Sequence, residues 1–147
     1  MEAPVMKIRL NYPDMKLPER AHESDSGLDL TLMKVIEKRE NVFFFDTGVS
    51  IEAPDGYYTE LFPRSSIYKH DFIMVNSVGV IDHGYRGSLF MPMRYLGDGD
   101  GREAAEDLVG QRIGQLILRR AEPYRIQVVS DLSQTERGGK GFGSSGV

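Results

Sequence analysis

The run Asn76-Ser-Val-Gly-Val-Ile-Asp-His-Gly-Tyr-Arg-Gly87 places an acid, Asp82, at the end of a β-branched stretch. Val78, Val80 and Ile81 favour a strand, while Gly79, Gly84 and Gly87 let the backbone turn tightly or approach a ligand closely. The pattern predicts a hairpin with exposed edges. A planar base could enter it and be read by main-chain N–H and C=O groups, with Asp82 and Tyr85 at its rim. Elsewhere, Arg64 and Ser65 follow Pro63 and open a short predicted helix, where free N–H groups favour anions. An ordinary N-cap by Ser65 explains the same residues, and both readings can hold at once. Gln115 interrupts the apolar Ile113, Leu116 and Leu118, an odd place for an amide unless it meets a ligand or a subunit interface. Taken singly, Asp82 also fits a turn cap, Asn76 an Asx-turn, Asp29 a hairpin turn and Tyr85 a packed aromatic. His83, next to Asp82, reads as an exposed turn residue.

Five such strings follow one another along the chain: Ser26-Gly-Leu-Asp-Leu30, Pro63-Arg-Ser-Ser-Ile67, the Asn76–Gly87 run, Gly110-Gln-Arg-Ile-Gly-Gln-Leu116, and Arg137-Gly-Gly-Lys-Gly-Phe-Gly-Ser-Ser-Gly146. Any one of them is a weak signal. Together, in this order, the chain resembles the trimeric deoxyuridine triphosphate nucleotidohydrolases, and the resemblance spans nearly its whole length.

That resemblance implies hydrolysis of dUTP to dUMP and pyrophosphate, which limits uracil in DNA and supplies dUMP for thymidylate synthesis. The inventory of carboxylates, Arg, hydroxyl and amide side chains with Gly-rich backbone suits a triphosphate. Cleavage between the α and β phosphates needs an in-line water, a base and donors for the developing charge. Asp82 is the implied base. Asn76 and the backbone of Val80, Ile81 and Asp82 would read uracil, and Tyr85 would lie where a 2′-hydroxyl needs room. Arg64, Ser65, Ser66 and Gln115 would contact the substrate, with Asp29 orienting near Arg64 and the metal's water shell. The tail resembles a phosphate-cradling loop, with Arg137 on the γ-phosphate, Phe142 stacked on uracil, and Gly143 and Ser144 donating to oxygens. A disordered tail or expression remnant has the same Gly-Ser composition. Lys140 stands where the family usually has Gly. Magnesium is implied by the substrate's charge, held through phosphate oxygens and water with no dedicated protein ligands. A same-fold alternative is a dCTP deaminase. A rival of another class is a nucleotide-gated regulator that binds a protein partner, with the 97–107 loop as the contact.

The elements that must position these residues are strands. Period-2 alternation runs through Met6, Ile8, Leu10 and Tyr12, through Val49, Ile51 and Ala53, and through Tyr57–Phe62. Further strands are predicted at Ser88–Tyr95, Arg112–Arg119 and Tyr124–Val129. The spacing predicts an all-β sandwich or barrel, which the resemblance sharpens to a jelly roll. Helices are predicted only at Ser65–Lys69 and Arg102–Leu108, and residues 97–107 read as an acidic, flexible excursion. Residues 1–136 form one domain and residues 137–147 its flexible arm.

A chain of 147 residues is a single-domain length that buries roughly 68–70% of its unfolded surface. The absence of Cys removes disulfides and thiol nucleophiles and fits a reducing compartment. A net charge of −4 gives no basic field for a nucleic-acid backbone, so polymer binding is disfavoured. The acidic start, Met1-Glu-Ala-Pro4, is unlike a signal peptide, and no apolar run approaches a membrane span of about 18 residues. A cytoplasmic protein is predicted, assembling as a homotrimer by resemblance.

Overall fold

A computed structural model describes residues 2–143. Its strands are β1 (Lys7–Leu10), β2 (Leu28–Thr31), β3 (Lys34–Arg39), β4 (Val42–Asp46), β5 (Val49–Glu52), β6 (Tyr57–Pro63), β7 (Phe72–Met74), β8 (Gly79–Ile81), β9 (Phe90–Tyr95) and β10 (Arg112–Arg120). They form two four-stranded antiparallel sheets, ordered β2-β10-β6-β8 and β3-β4-β9-β7, and a two-stranded ribbon, β1-β5. This is the all-β jelly roll that the strand pattern and the resemblance predict.

One apolar cluster joins the two large sheets: Leu30, Leu61, Ile113 and Leu116 from the first, and Phe43, Phe45, Phe72, Met74, Met91 and Met93 from the second. Period 2 produces it directly. In β6, Thr59 and Leu61 point inward, while Tyr58, Glu60 and Phe62 stand on the outer face. Phe72 closes the second sheet's side, packing edge-on against Phe43 and Phe45 with ring centroids 6.1 and 6.3 Å away. At the ribbon's end of the core, the buried Asp46 accepts hydrogen bonds from Tyr12 Oη (2.8 Å), Gly48 N (2.8 Å) and Ser88 Oγ. The bond to Asp46 raises the pKa of Tyr12, with burial and the carboxylate's charge acting in the same direction.

Three expectations need correction. The Asn76–Gly87 run is not a hairpin: it holds one strand, Gly79–Ile81, which pairs with β6, while the strands before and after it, β7 and β9, pair with each other in the other sheet. It is an arch, and Ser77 takes a left-handed backbone (φ 58°) at its crest. Tyr124–Val129 forms no strand; Tyr124, Ile126 and Val128 are 83%, 84% and 93% exposed. Alternation marks an apolar face, but a strand also needs a neighbour to take its hydrogen bonds, and this chain supplies none there. The 97–107 excursion is anchored. Its helix α1 (Arg102–Leu108) buries Ala105 and Leu108, and Gly101 at its start has φ 77° and no room for a Cβ beside the Tyr95 ring. The other predicted helix, Ser65–Lys69, is a single 3₁₀ stretch. The hairpin β3–β4, turning through Glu40 and Asn41, has no counterpart among the sequence expectations. Among the described residues no helix is long and apolar enough to cross a membrane.

Candidate active site

The outer face of the sheet β2-β10-β6-β8 carries Asp29 and Gln115 of the predicted site, and Arg64, Ser65 and Ser66 leave the sheet at Pro63. Asp29 on β2 lies across from Gln115 on β10, and Gln115 lies across from Phe62 on β6. Pro63 ends β6, and Arg64 leaves it bonded to β10: its N–H donates to the Ile113 carbonyl (2.6 Å) and its Nη1 to the Arg112 carbonyl (3.0 Å). The guanidinium then turns to Asp29, Nε to Oδ1 at 3.0 Å. Asp29 is only 9% exposed, so one buried carboxylate fixes the cation beside it. Its other oxygen, Oδ2, is buried without a hydrogen bond, with Arg112 Nη1 at 3.9 Å.

Gln115 Nε2 donates to the Pro63 carbonyl (3.2 Å). Its Oε1 passes so close to Gly27 that a Cβ there would sit 2.3 Å away. Gly27 therefore leaves room for the amide, a role that its place in the first string did not reveal. Ser65 and Ser66 follow at the start of the 3₁₀ stretch. Neither hydroxyl caps it or makes another hydrogen bond among the described residues, so the N-cap reading of Ser65 is not realised. Arg112 also escapes sequence reasoning, since nothing in sequence ties it to Asp29.

Asp82 and Tyr85 lie elsewhere. β8 runs antiparallel to β6, with Leu61 across from Gly79 and Thr59 across from Ile81, so Asp82 follows toward the Tyr58 end. Arg64 is at the opposite end, six residues farther along the strand direction, or about 20 Å at ~3.3 Å per residue. Asp82 and Tyr85 are exposed, joined by a turn in which Tyr85 N–H donates to the Asp82 carbonyl (3.0 Å). Tyr85 is not buried packing: its hydroxyl donates to the Ser88 carbonyl at 2.9 Å, which lays the ring over Gly87, where a Cβ would clash. Asn76 is exposed on the arch, with its amide near Gly79, and Val80 presents an exposed side chain beside it. Ile81 is partly buried. His83 is exposed, its Nδ1 3.0 Å from the Tyr57 carbonyl.

The arm stands apart from both groups. Arg137 Nε donates to the Lys140 carbonyl (2.8 Å), and Phe142 is fully exposed, next to Gly143. Ser144 lies outside the described residues. One chain thus assembles Asp29, Arg64 and Gln115, presents Asp82 and Tyr85 at the far end of the sheet with Asn76 before β8, toward the Pro63 end, and brings the arm to neither.

The dUTPase family model matches residues 13–146. The chain belongs to the dUTPase family. A deoxyuridine 5'-triphosphate nucleotidohydrolase of Thermobifida fusca (strain YX) is 36% identical over 143 residues, covering 96% of this chain and 78% of that protein. Among solved structures, the dUTPase of Staphylococcus bacteriophage 80alpha with dUPNHPP superposes with a TM-score of 0.80 at 24% identity, covering 97% of this chain and 99% of that one. A mutant dUTPase from phage phi11 of S. aureus, which coordinates a structural Mg(II) ion, gives 0.72 at 18% identity, covering 88% and 99%. At those identities the two structures speak to fold alone. As a dUTPase, the chain has its five strings inside the matched span.

Proposed function

We infer that this chain hydrolyses dUTP to dUMP and pyrophosphate, acting in the cytoplasm as a homotrimer. The observation that carries the reading is the cluster at the Pro63 end of the sheet, where a buried carboxylate holds Arg64 at 3.0 Å beside Gln115 and two serine hydroxyls. These are donors for an anion, set in place before it arrives. Arg64, Ser65, Ser66 and Gln115 bind the phosphates, and Asp29 orients Arg64.

The base enters at the arch. Asn76 and the main chain of Val80, Ile81 and Asp82 pair with uracil, while the ring of Tyr85 occupies the space that a 2′-hydroxyl would need. Asp82 orients a water and takes its proton as the water oxygen bonds to the α-phosphorus; the bond to the bridging oxygen breaks, and pyrophosphate leaves with the electron pair. Arg137, Phe142, Gly143 and Ser144 close over the γ-phosphate and the base.

About 20 Å between Asp82 and Arg64 is too far for one nucleotide to use both in a single chain. That separation supports a shared site: arch from one subunit, phosphate donors from a second, arm from a third. The exposed apolar alternation of Tyr124, Ile126 and Val128 supports an arm that leaves its own subunit.

No cluster of three or more acidic or imidazole side chains among the described residues could hold a metal by itself. The unpartnered Asp29 Oδ2 does suit one water of an ion carried in by the phosphates. Bound in that way, Mg2+ supplies charge neutralisation at the phosphate oxygens. Asp29 would hold it through water.

Pyrophosphate release from a panel of dUTP, UTP, dCTP and dTTP tests the reading. Release from dUTP in marked preference to the others is expected. No release from dUTP, or ammonia from dCTP, overturns it.

A further inference from the structure

The Asp82–Gly87 turn lies on the surface and contains two glycines, yet it must hold a base and a steric gate to within fractions of an ångström. Within the turn, the main chain supplies one hydrogen bond, Tyr85 N–H to the Asp82 carbonyl. Arg86 supplies the others. Its Nη1 donates to the carbonyls of His83 (2.7 Å) and Tyr85 (3.2 Å), so one guanidinium gathers the turn's carbonyls on its inner side. Its Nη2 reaches Glu52 Oε1 at 3.6 Å, and Glu52 Oε2 is held by Lys7 Nζ at 3.0 Å. Glu52 ends β5 and Lys7 begins β1, the two paired across the ribbon.

The main chain of the turn is fastened to the same ribbon. Arg9 on β1 donates through Nη2 to the Arg86 carbonyl (3.5 Å) and to Ser50 Oγ on β5 (3.3 Å). Asn11 Nδ2 bonds Ser50 Oγ (3.0 Å) and Ser88 Oγ (3.3 Å), and Ser88 Oγ donates to the buried Asp46. Tyr85 Oη closes onto the Ser88 carbonyl. The ribbon β1-β5 thus acts as a foundation under the turn.

We propose that Arg86, anchored by Glu52, is a positioning residue for the reaction: it braces the turn that presents Asp82 and Tyr85 and touches no reacting atom itself. The proposal rests on the roles inferred above for those two residues. Arg86 and Glu52 are each nearly half exposed, and an ion pair at that exposure contributes little to global stability. Its loss is felt by the turn and not by the fold. Lysine carries the charge but not the planar fork that spans two carbonyls and a carboxylate.

The test is steady-state kinetics of Arg86→Met, Arg86→Lys and Glu52→Gln with dUTP and UTP, alongside thermal melting and the variant Asp82→Asn. Arg86→Met is expected to lower kcat for dUTP by about a hundredfold with a smaller change in KM, the scale of an ångström's misplacement. It should also reduce the preference for dUTP over UTP, because Tyr85 shares the turn, with Tm nearly unchanged. Arg86→Lys should recover part of both. Parent-like turnover and preference in Arg86→Met, with Asp82→Asn inactive, overturns the brace and leaves Asp82 as base. Parent-like turnover in Asp82→Asn overturns the reading of Asp82 and the brace with it. If Arg86→Met loses its cooperative melt, Glu52→Gln decides: a severalfold fall in kcat at parental Tm supports the brace, and unchanged kcat overturns it.

Discussion

At the Pro63 end of the sheet β2-β10-β6-β8, Asp29 is buried and holds Arg64 at 3.0 Å, with Gln115 in register beside it. At the Tyr58 end, Asp82 and Tyr85 stand exposed on a glycine-rich turn, tied to Arg9 and Glu52 of the ribbon through Arg86. The difference is one of chemistry. In the proposed reaction a cation for phosphate is fixed before the anion arrives, and the buried Asp29 fixes Arg64 within one chain. In the proposed reaction a base and a gate must meet a ligand from outside, and Asp82 and Tyr85, the residues proposed for them, occupy a turn that another surface can approach. The first end is tied within the chain, and the second faces solvent.

The sharpest way to break that contrast is at the open end. Asp82→Asn should retain dUTP binding while turnover falls by roughly 10²–10⁴, the scale for removing a general base. Unchanged turnover would remove Asp82 from the chemistry. Next in size is a test of whether the two ends belong to different chains. Asp82→Asn chains and chains truncated before Arg137 should each be inactive alone; refolded together, they should recover activity at about a quarter of sites, given random assortment under closed threefold symmetry. Mixed trimers, verified by mass, that stay inactive would mean that arch and arm come from one chain.

At the closed end, Asp29→Asn should lower stability by about 1–3 kcal/mol, because Arg64 loses its charged partner in a largely buried setting, and should raise KM for dUTP. A melting curve superimposable on the parent's would contradict that account of the cluster. Tyr85→Ala should reduce the ratio of catalytic efficiencies for dUTP over UTP about tenfold. Equal losses on both nucleotides would make Tyr85 a packing residue. The smallest effect lies far from either end. Tyr12→Phe removes the bond to Asp46 and should cost about 1 kcal/mol at neutral pH. The pKa of Tyr12 is raised in the fold, so its contribution is complete below its ordinary value near 10 and is lost as pH rises through the folded value. A stability difference that persisted undiminished at high pH would point to packing instead.

Much of the candidate site is legible in sequence because its residues sit in short strings where local chemistry is unusual. An amide inside the apolar β10 and Arg64 after a Pro are visible without knowing what lies beside them. Arg86 is visible as a letter but not as a brace, since Glu52 and Lys7, 34 and 79 positions before it, are ordinary charged residues in sequence. Arg112 and Gly27 acquire meaning only once β2 pairs with β10. Tyr124–Val129 misleads because alternation reports an apolar face and not the surface that covers it. The β3–β4 hairpin escapes notice because Lys34–Arg39 is rich in charge and Phe43-Phe-Phe45 masks its own alternation.

The sequence by itself determined the class of fold and the family. Period-2 patterning and turn residues act locally, and ordered strings of reactive residues survive in one dimension. The tertiary structure alone decided that the Asn76–Gly87 run is an arch between sheets, that Asp29 faces Arg64, and that Asp82 lies at the far end of the same sheet. Those facts depend on which strands pair and in which register, and pairing is settled by burial summed over the whole core rather than by any one segment.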